Sequence, residues 1–235
     1  MPFHGAESIK SLSIDLDNTL WDVTPTLIAA EAELAAWLQT NYPAVMPHYR
    51  PDTTTAIRNR LVSRYPHRAH DLSFLRRTVL EQVFVLAGED RGMAELAFDV
   101  FFAARNRVTL YDDVLPALTR LADRYVLVAL TDGNADLNQV GLEDHFDHYI
   151  NAVSVGAAKP AAAMFAAVQD YTELAADEIL HVGDDPNKDV IGANQFGMRS
   201  VWVNRTGAQW PDPQSRPDAE VPSLDTLASQ LLEAL

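Results

Sequence analysis

The sequence predicts an α/β protein, a doubly wound parallel sheet carrying an inserted helical unit. Three observations predict it. Short apolar runs alternate with helical stretches, a long strand-free helical stretch interrupts the pattern after the first run, and acidic or hydroxyl-bearing residues follow several runs directly.

The runs are Ser11-Leu12-Ser13-Ile14, Tyr125 to Leu130, Tyr149 to Val153, Glu178 to Val182 and Ser200 to Val203. Each is strand-length and largely aliphatic or β-branched, the pattern of strands covered on both faces. Between them, Val114 to Arg124 places Leu115, Leu118 and Leu121 on one helical face, and Ala162 to Tyr171 and Lys188 to Phe196 read as further helices. Strands alternating with helices imply right-handed crossovers and a parallel sheet.

From about Val23 to Arg107 no convincing strand occurs. Leu27, Ala30, Leu34 and Leu38 share one helical face; Leu75, Val79, Val83 and Leu86 share another, as do Leu96, Val100 and Ala104. Pro43, Pro47, Pro51 and Pro66 break the intervals, which gives four or so helices. An insertion of this size is a structural unit rather than a loop. The expected organisation is a core of residues 1–22 and 108–235 with a helical insert at 23–107. The tail from Arg205 to Pro222, with Pro211, Pro213, Pro217 and Pro222, predicts an irregular segment, followed by a closing helix from Leu224 to Leu235 capped by Ser223 or Asp225.

Composition narrows the function classes. The chain has 235 residues with 33 Asp+Glu against 18 Lys+Arg, a formal net charge of −15. Such a field repels nucleic acid and anionic membrane. A small anionic substrate then needs a local positive centre, and a bound divalent cation is one. There is no cysteine, which excludes disulfides and thiolate chemistry. The N-terminal MPFHGAESIKS carries no apolar h-region, and no apolar run approaches the ~18 residues that span a bilayer. The expectation is a soluble, cytoplasmic protein.

Four segments carry chemistry. Asp15-Leu16-Asp17-Asn18-Thr19-Leu20 follows the first apolar run. Functional residues collect at the carboxyl ends of parallel strands, and two carboxylates so close need a cation, a proton or hydrogen bonds to coexist. An Asx-turn is the alternative. Gly183-Asp184-Asp185-Pro186-Asn187-Lys188-Asp189 follows another run; an all-oxygen set suits Mg²⁺, while Asp185 before Pro186 is also a good helix cap. Thr131-Asp132-Gly133-Asn134 offers a hydroxyl and backbone N–H groups for an oxyanion or phosphate, or is a plain turn. Lys159-Pro160 places a point charge suited to phosphate ahead of a helix, or is a solvated lysine.

In their order these segments resemble the haloacid dehalogenase superfamily, whose motifs are a DxDxT loop, a Ser/Thr after the second strand, a Lys and an acidic GD…D loop. The likeness covers nearly the whole chain, and the helical insert resembles that family's C1 cap. Within it, Asp17-Asn18-Thr19-Leu20-Trp21-Asp22, Leu130 to Asn134 and Ile179 to Asp185 look nearest to a bacterial branch of small-molecule phosphatases. That branch includes an enzyme for 5-amino-6-(5-phospho-D-ribitylamino)uracil, a riboflavin precursor.

The resemblance implies a Mg²⁺-dependent phosphatase. Asp15 would attack phosphorus to form an aspartyl-phosphate, and Asp17 would act as general acid and then base. The cation would be held by Asp15, the carbonyl of Asp17 and Asp184, with waters held by Asp189 and Asp185. Thr131, Gly133, the Asp132 N–H and Lys159 would hold phosphate, with the Asp132 side chain turned away. Dehalogenases of the superfamily lack a carboxylate at the Asp17 position. A dehalogenase, a phosphomutase and a non-catalytic binding protein on the same fold are the alternatives. The partner is a small phosphorylated metabolite, a flavin-pathway or sugar phosphate among the candidates.

The pairs His67/His70 and His145/His148 have metal-compatible spacing without evident partners, and read as surface or capping residues. His181 reads as a hydrogen-bonded core residue. Trp21 reads equally well as core or as cleft lining, and core packing is also the plainer reading of Trp37.

Overall fold

The computed structural model describes residues 5–211 and 215–233; Pro213 of the tail and the last two residues of the expected closing helix fall outside them. Strands are β1 (Ser11–Ile14), β2 (Val126–Thr131), β3 (His148–Asn151), β4 (Ile179–Gly183), β5 (Arg199–Val203) and β6 (Ala219–Val221). They form one sheet in the order β3-β2-β1-β4-β5-β6, and every pairing is parallel. The strand order reverses at β1, the switch point at which open α/β sheets place their sites.

The chain divides into two compact units. The first comprises residues 1–22, 110–133 and 141–235 and holds the sheet. Helices α5 (Val114–Ala122), α7 (Ala152–Val155), α8 (Ala162–Thr172), α9 (Gly192–Phe196) and α10 (Leu224–Glu233) belong to it. In β2, Val128 and Leu130 pack with Met164, Phe165 and Val168 of α8 and Ala193 of α9. The alternate residues Leu127 and Ala129 are equally buried, so both faces of the strand are covered. The central strand β1 carries two buried serines, each satisfied: Ser11 Oγ donates to the Val126 carbonyl at 2.9 Å, and Ser13 Oγ meets His181 Nδ1 at 2.7 Å.

The second unit comprises residues 23–109 and 134–140. Helices α1 (Val23–Asn41), α2 (Pro51–Arg64), α3 (Leu72–Leu86) and α4 (Ala94–Arg105) surround a core of Leu34, Leu38, Leu80, Val83, Phe84 and Phe98. The short α6 (Leu137–Val140) joins them because side chains hold its segment. Asn134 Oδ1 accepts from Arg105 Nε at 3.0 Å and its Nδ2 donates to Ser73 Oγ at 3.1 Å, while Asn106 Oδ1 accepts from the Asp136 N–H at 2.8 Å. The sequence assigned this segment to the core.

Several expectations are corrected. Leu27, Leu86, Leu96 and Leu115 are exposed by a third to a half. The buried stripes run instead through Ala30-Leu34-Leu38, Leu75-Val79-Val83, Ala97-Phe98-Phe101-Ala104 and Val114-Ala117-Leu118-Leu121. The helical repeat of 3.6 residues carries the ends of an apolar series off the core face. The tail is not wholly irregular, since β6 pairs with β5 through Val201–Ala219 to Val203–Val221. The run Tyr149 to Val153 is cut short at Asn151, whose side chain caps α7. The expected helix from Lys188 begins instead with a π-helical turn at Pro186–Ile191.

Candidate active site

Three loops leave the carboxyl ends of β1, β4 and β2. The register aligns Ile14 with Val182 and Ala129, so Asp15, Gly183 and Leu130 emerge side by side. The Asp15 N–H donates to the Val182 carbonyl at 2.9 Å, which ties the first loop to β4.

Lys159 lies at the centre, 4% exposed. Its Nζ donates to Asp15 Oδ1 and Asp189 Oδ1, each at 2.6 Å, and to the Leu130 carbonyl at 3.1 Å. All three ammonium protons are thereby used. Lys159 itself is positioned by Asp132, whose Oδ1 accepts from the Lys159 N–H at 2.7 Å. Thr131 Oγ1 accepts from the Gly133 N–H at 2.9 Å. The expected phosphate residues Thr131, Asp132, Gly133 and Lys159 thus lie together. The Asp132 carboxylate is occupied with the Lys159 backbone, and the Gly133 N–H is bonded inside its own turn.

Of the expected metal residues, Asp15, Asp184 and Asp189 each bring a carboxylate oxygen within 4.8 Å of the others. Asp189 Oδ1 also meets His181 Nε2 at 3.2 Å, and its Oδ2 accepts the Asp185 N–H at 2.9 Å. Close approach is possible because residue 183 is glycine; a Cβ there would collide with the Asp189 carboxylate. Asp184 Oδ1 accepts from Thr19 Oγ1 at 3.2 Å, and Trp202 Nε1 fixes the Asp184 carbonyl at 2.8 Å. Asp185 Oδ1 caps the following turn through the N–H groups of Asn187 and Lys188.

The Asp17 side chain is engaged elsewhere: Trp21 Nε1 donates to its Oδ1 at 2.9 Å. The Trp21 ring is wholly buried and at the same time holds the Asp17 side chain. Arg205 was missed. Its Nε donates to the Thr19 carbonyl at 3.1 Å while its two terminal nitrogens grip Asp113 at 2.9 and 3.0 Å. The sequence marks Trp21 as core or cleft lining but not its contact with Asp17, and nothing local marks Arg205, because both contacts depend on side-chain direction in three dimensions. Among the described residues the histidine pairs join no metal-compatible cluster; His148 stacks on Tyr171.

Charge balance shows what the site lacks. Burial lowers the affinity of the Lys159 amine for its proton, but Asp15 and Asp189 more than restore it, so Lys159 is charged. Burial pushes Asp189 up, and the opposing pull of Lys159 with the His181 hydrogen bond holds it below the ordinary range. Burial keeps His181 neutral, so Nε2–H donates to Asp189 and Nδ1 accepts from Ser13. One cation is then spent on Asp189. Asp15 is raised well above its usual value by burial, against the pull of Lys159. Burial, with Asp189 beside it, pushes Asp184 up to about 7. Two carboxylates short of positive charge, at a partly open rim, fit an oxygen-coordinated divalent cation.

The profile of haloacid dehalogenase-like hydrolases matches residues 9–197. The chain belongs to this family. Among its relatives, the 5-amino-6-(5-phospho-D-ribitylamino)uracil phosphatase YigB of Escherichia coli K12 is 32% identical over 228 residues, 94% of this chain and 95% of that one. A phosphoserine phosphatase of Thermus thermophilus is 37% identical over 155 residues, 61% of each chain. A solved structure of a 2-haloacid dehalogenase from Pseudomonas syringae pv. Tomato DC3000 matches with a TM-score of 0.92 at 36% identity, covering 97% of this chain and 100% of that one. The family thus contains both phosphoester and carbon–halogen chemistry near this chain.

Proposed function

We propose that the protein is a phosphatase that hydrolyses a small-molecule phosphate monoester through an aspartyl-phosphate on Asp15. The observation that carries this reading is a buried carboxylate, Asp15, held by Lys159 beside Asp184, with a second carboxylate two residues on at Asp17. A phosphatase relative matched over nearly the full length supports it.

Asp15 and Asp184, with the Asp17 carbonyl, would hold Mg²⁺, which neutralises charge on the transferring phosphoryl group and keeps Asp15 ionised. Lys159 fixes Asp15 Oδ1, and Oδ2, which meets Thr19 Oγ1 at 3.4 Å, is the oxygen that attacks phosphorus in line. Asp17 gives its proton to the departing alkoxide and then takes one from the water that opens the aspartyl-phosphate. Thr131 and the loop N–H groups after it receive phosphoryl oxygens. Asp189 keeps Lys159 charged and positioned. We propose that the helical segment 23–107 is the counterpart of the C1 cap of this family. With no cysteine to protect and no helix long and apolar enough to cross a membrane among the described residues, we place the reaction in the cytoplasm.

The Pseudomonas syringae structure favours a second reading, a 2-haloacid dehalogenase. Asp17 weighs against it, because a halide leaves without a proton and needs no acid. The test is a panel of phosphorylated metabolites, including FMN, sugar phosphates, phosphoserine and the riboflavin precursor, assayed with Mg²⁺ and with EDTA beside halide release from 2-chloropropionate. Mg²⁺-dependent phosphate release supports the phosphatase. Halide release with no phosphate release overturns it.

A further inference from the structure

We infer that Trp21 is the positioning residue for Asp17, and that its indole N–H decides which Asp17 oxygen exchanges the proton. The inference rests on the proposed phosphatase reading and deepens it.

The loop is built to hold this contact. Asn18 takes a left-handed conformation, φ 64°, and its N–H donates to the Trp21 carbonyl at 2.7 Å. Residues 17 and 21 form a parallel bridge, and Trp21 forms an antiparallel bridge to Leu110. The Tyr111 N–H donates to the Leu20 carbonyl at 3.0 Å, which fastens the same turn to the next segment. The Trp21 side chain is 0% exposed, so its ring has no other place to go. Its Nε1–H therefore meets Asp17 Oδ1 at 2.9 Å as a fixed donor, not as one of several rotamers.

The chemistry follows from what an indole can do. Its N–H donates and never accepts. It bonds Oδ1 of the ionised carboxylate, and equally the carbonyl oxygen of the acid, whereas a protonated Oδ1 is a much poorer acceptor for it. The proton of the acid form is thus carried on Oδ2. In the first step the Asp15–phosphorus bond forms and the phosphorus–alkoxide bond breaks, while the Oδ2 proton passes to the alkoxide oxygen. In the second, water oxygen attacks phosphorus, its proton passes to Oδ2, and the Asp15–phosphorus bond breaks. Oδ1 keeps the same partner throughout, so the carboxyl plane stays oriented across both steps.

A residue that merely filled space would affect all substrates alike. A residue that orients the general acid matters most where the leaving group needs a proton. Trp21→Phe keeps the ring and removes the donor. Its kcat/KM should fall about tenfold on phenyl phosphate and less than threefold on p-nitrophenyl phosphate, whose leaving group departs as a stable anion. Equal losses on the two esters would overturn the inference. An activity-independent arm uses the ¹⁵N-labelled metal-free protein. Its Trp21 indole resonance, assigned by its disappearance in Trp21→Phe or by elimination among four tryptophans, should move in Asp17→Ala. An unmoved resonance also overturns it, even if Trp21→Phe does not fold. Wild-type protein inert on both esters sinks the phosphatase reading and the catalytic role with it, and the resonance then decides the pairing alone.

Discussion

Replacing Asp184 by Asn separates the cost of the site's buried charge from the benefit of the cation. Without metal, burial and Asp189 push Asp184 up to about 7. In the unfolded chain it titrates near ~3.9. Between those values the folded protein binds the extra proton, so this group's contribution to stability falls as pH rises. Integrated from pH 5 to pH 8, the loss is about 2.5 kcal/mol; counted from below the unfolded pKa the total is about 4 kcal/mol, essentially complete by about pH 8. Asn cannot ionise, yet its carbonyl still accepts from Thr19 Oγ1. In EDTA the variant should therefore gain on wild type by about 2.5 kcal/mol between pH 5 and pH 8. Urea unfolding followed by circular dichroism at the two pH values measures this. Mg²⁺ acts in the opposite direction: wild type gains about 2.7 kcal/mol at a metal concentration 100 times Kd, and the variant gains little. Wild-type and variant stabilities that run parallel with pH in EDTA would refute the reasoning.

Other perturbations follow from the same geometry. Lys159→Met leaves Asp15 and Asp189 buried without their shared cation and should cost about 3–5 kcal/mol in urea unfolding, with turnover lost. Gly183→Ala drives a methyl into Asp189 and should lower kcat at least tenfold with a lesser effect on the far-ultraviolet spectrum; unchanged kcat would show that Asp189 can move freely. Burial raises Asp113, but Arg205 outweighs it and holds the carboxyl below its usual value, so the pair stabilises above about pH 4 and its contribution fades as pH falls below that. The stability gap between wild type and Asp113→Asn should therefore close on acidification. Apparent Mg²⁺ affinity should weaken as pH drops through about 7, because Asp184 must lose its proton to bind; a flat profile between pH 6 and 8 would remove Asp184 from the site.

The sheet was legible because buried parallel strands must be continuous apolar runs, and because Asp15, Thr131 and Asp184 mark where three of them end. β6 was not legible: three residues, Ala219–Val221, owe their extended form to pairing with β5 rather than to their own composition. Helix faces were read correctly at their centres, as at Leu34 and Val79, and wrongly at their ends, as at Leu27 and Leu86, where drift of the helical repeat decides exposure. The residue types of the site stood in the sequence, but their division of labour did not. That Lys159 spends all its donors on Asp15, Asp189 and a carbonyl follows from the path of its loop, held by Asp132. That Trp21 grips Asp17, and Arg205 the Thr19 carbonyl, follows from side-chain directions that spacing does not encode.

The most direct test of the central claim is to quench the Mg²⁺-loaded protein with borohydride during turnover of p-nitrophenyl phosphate and read the peptides by mass spectrometry. The expected result is reduction of an acyl phosphate at Asp15, absent in EDTA and absent in Asp15→Asn. Turnover with no modification at Asp15, or with modification at another carboxylate, would contradict the account.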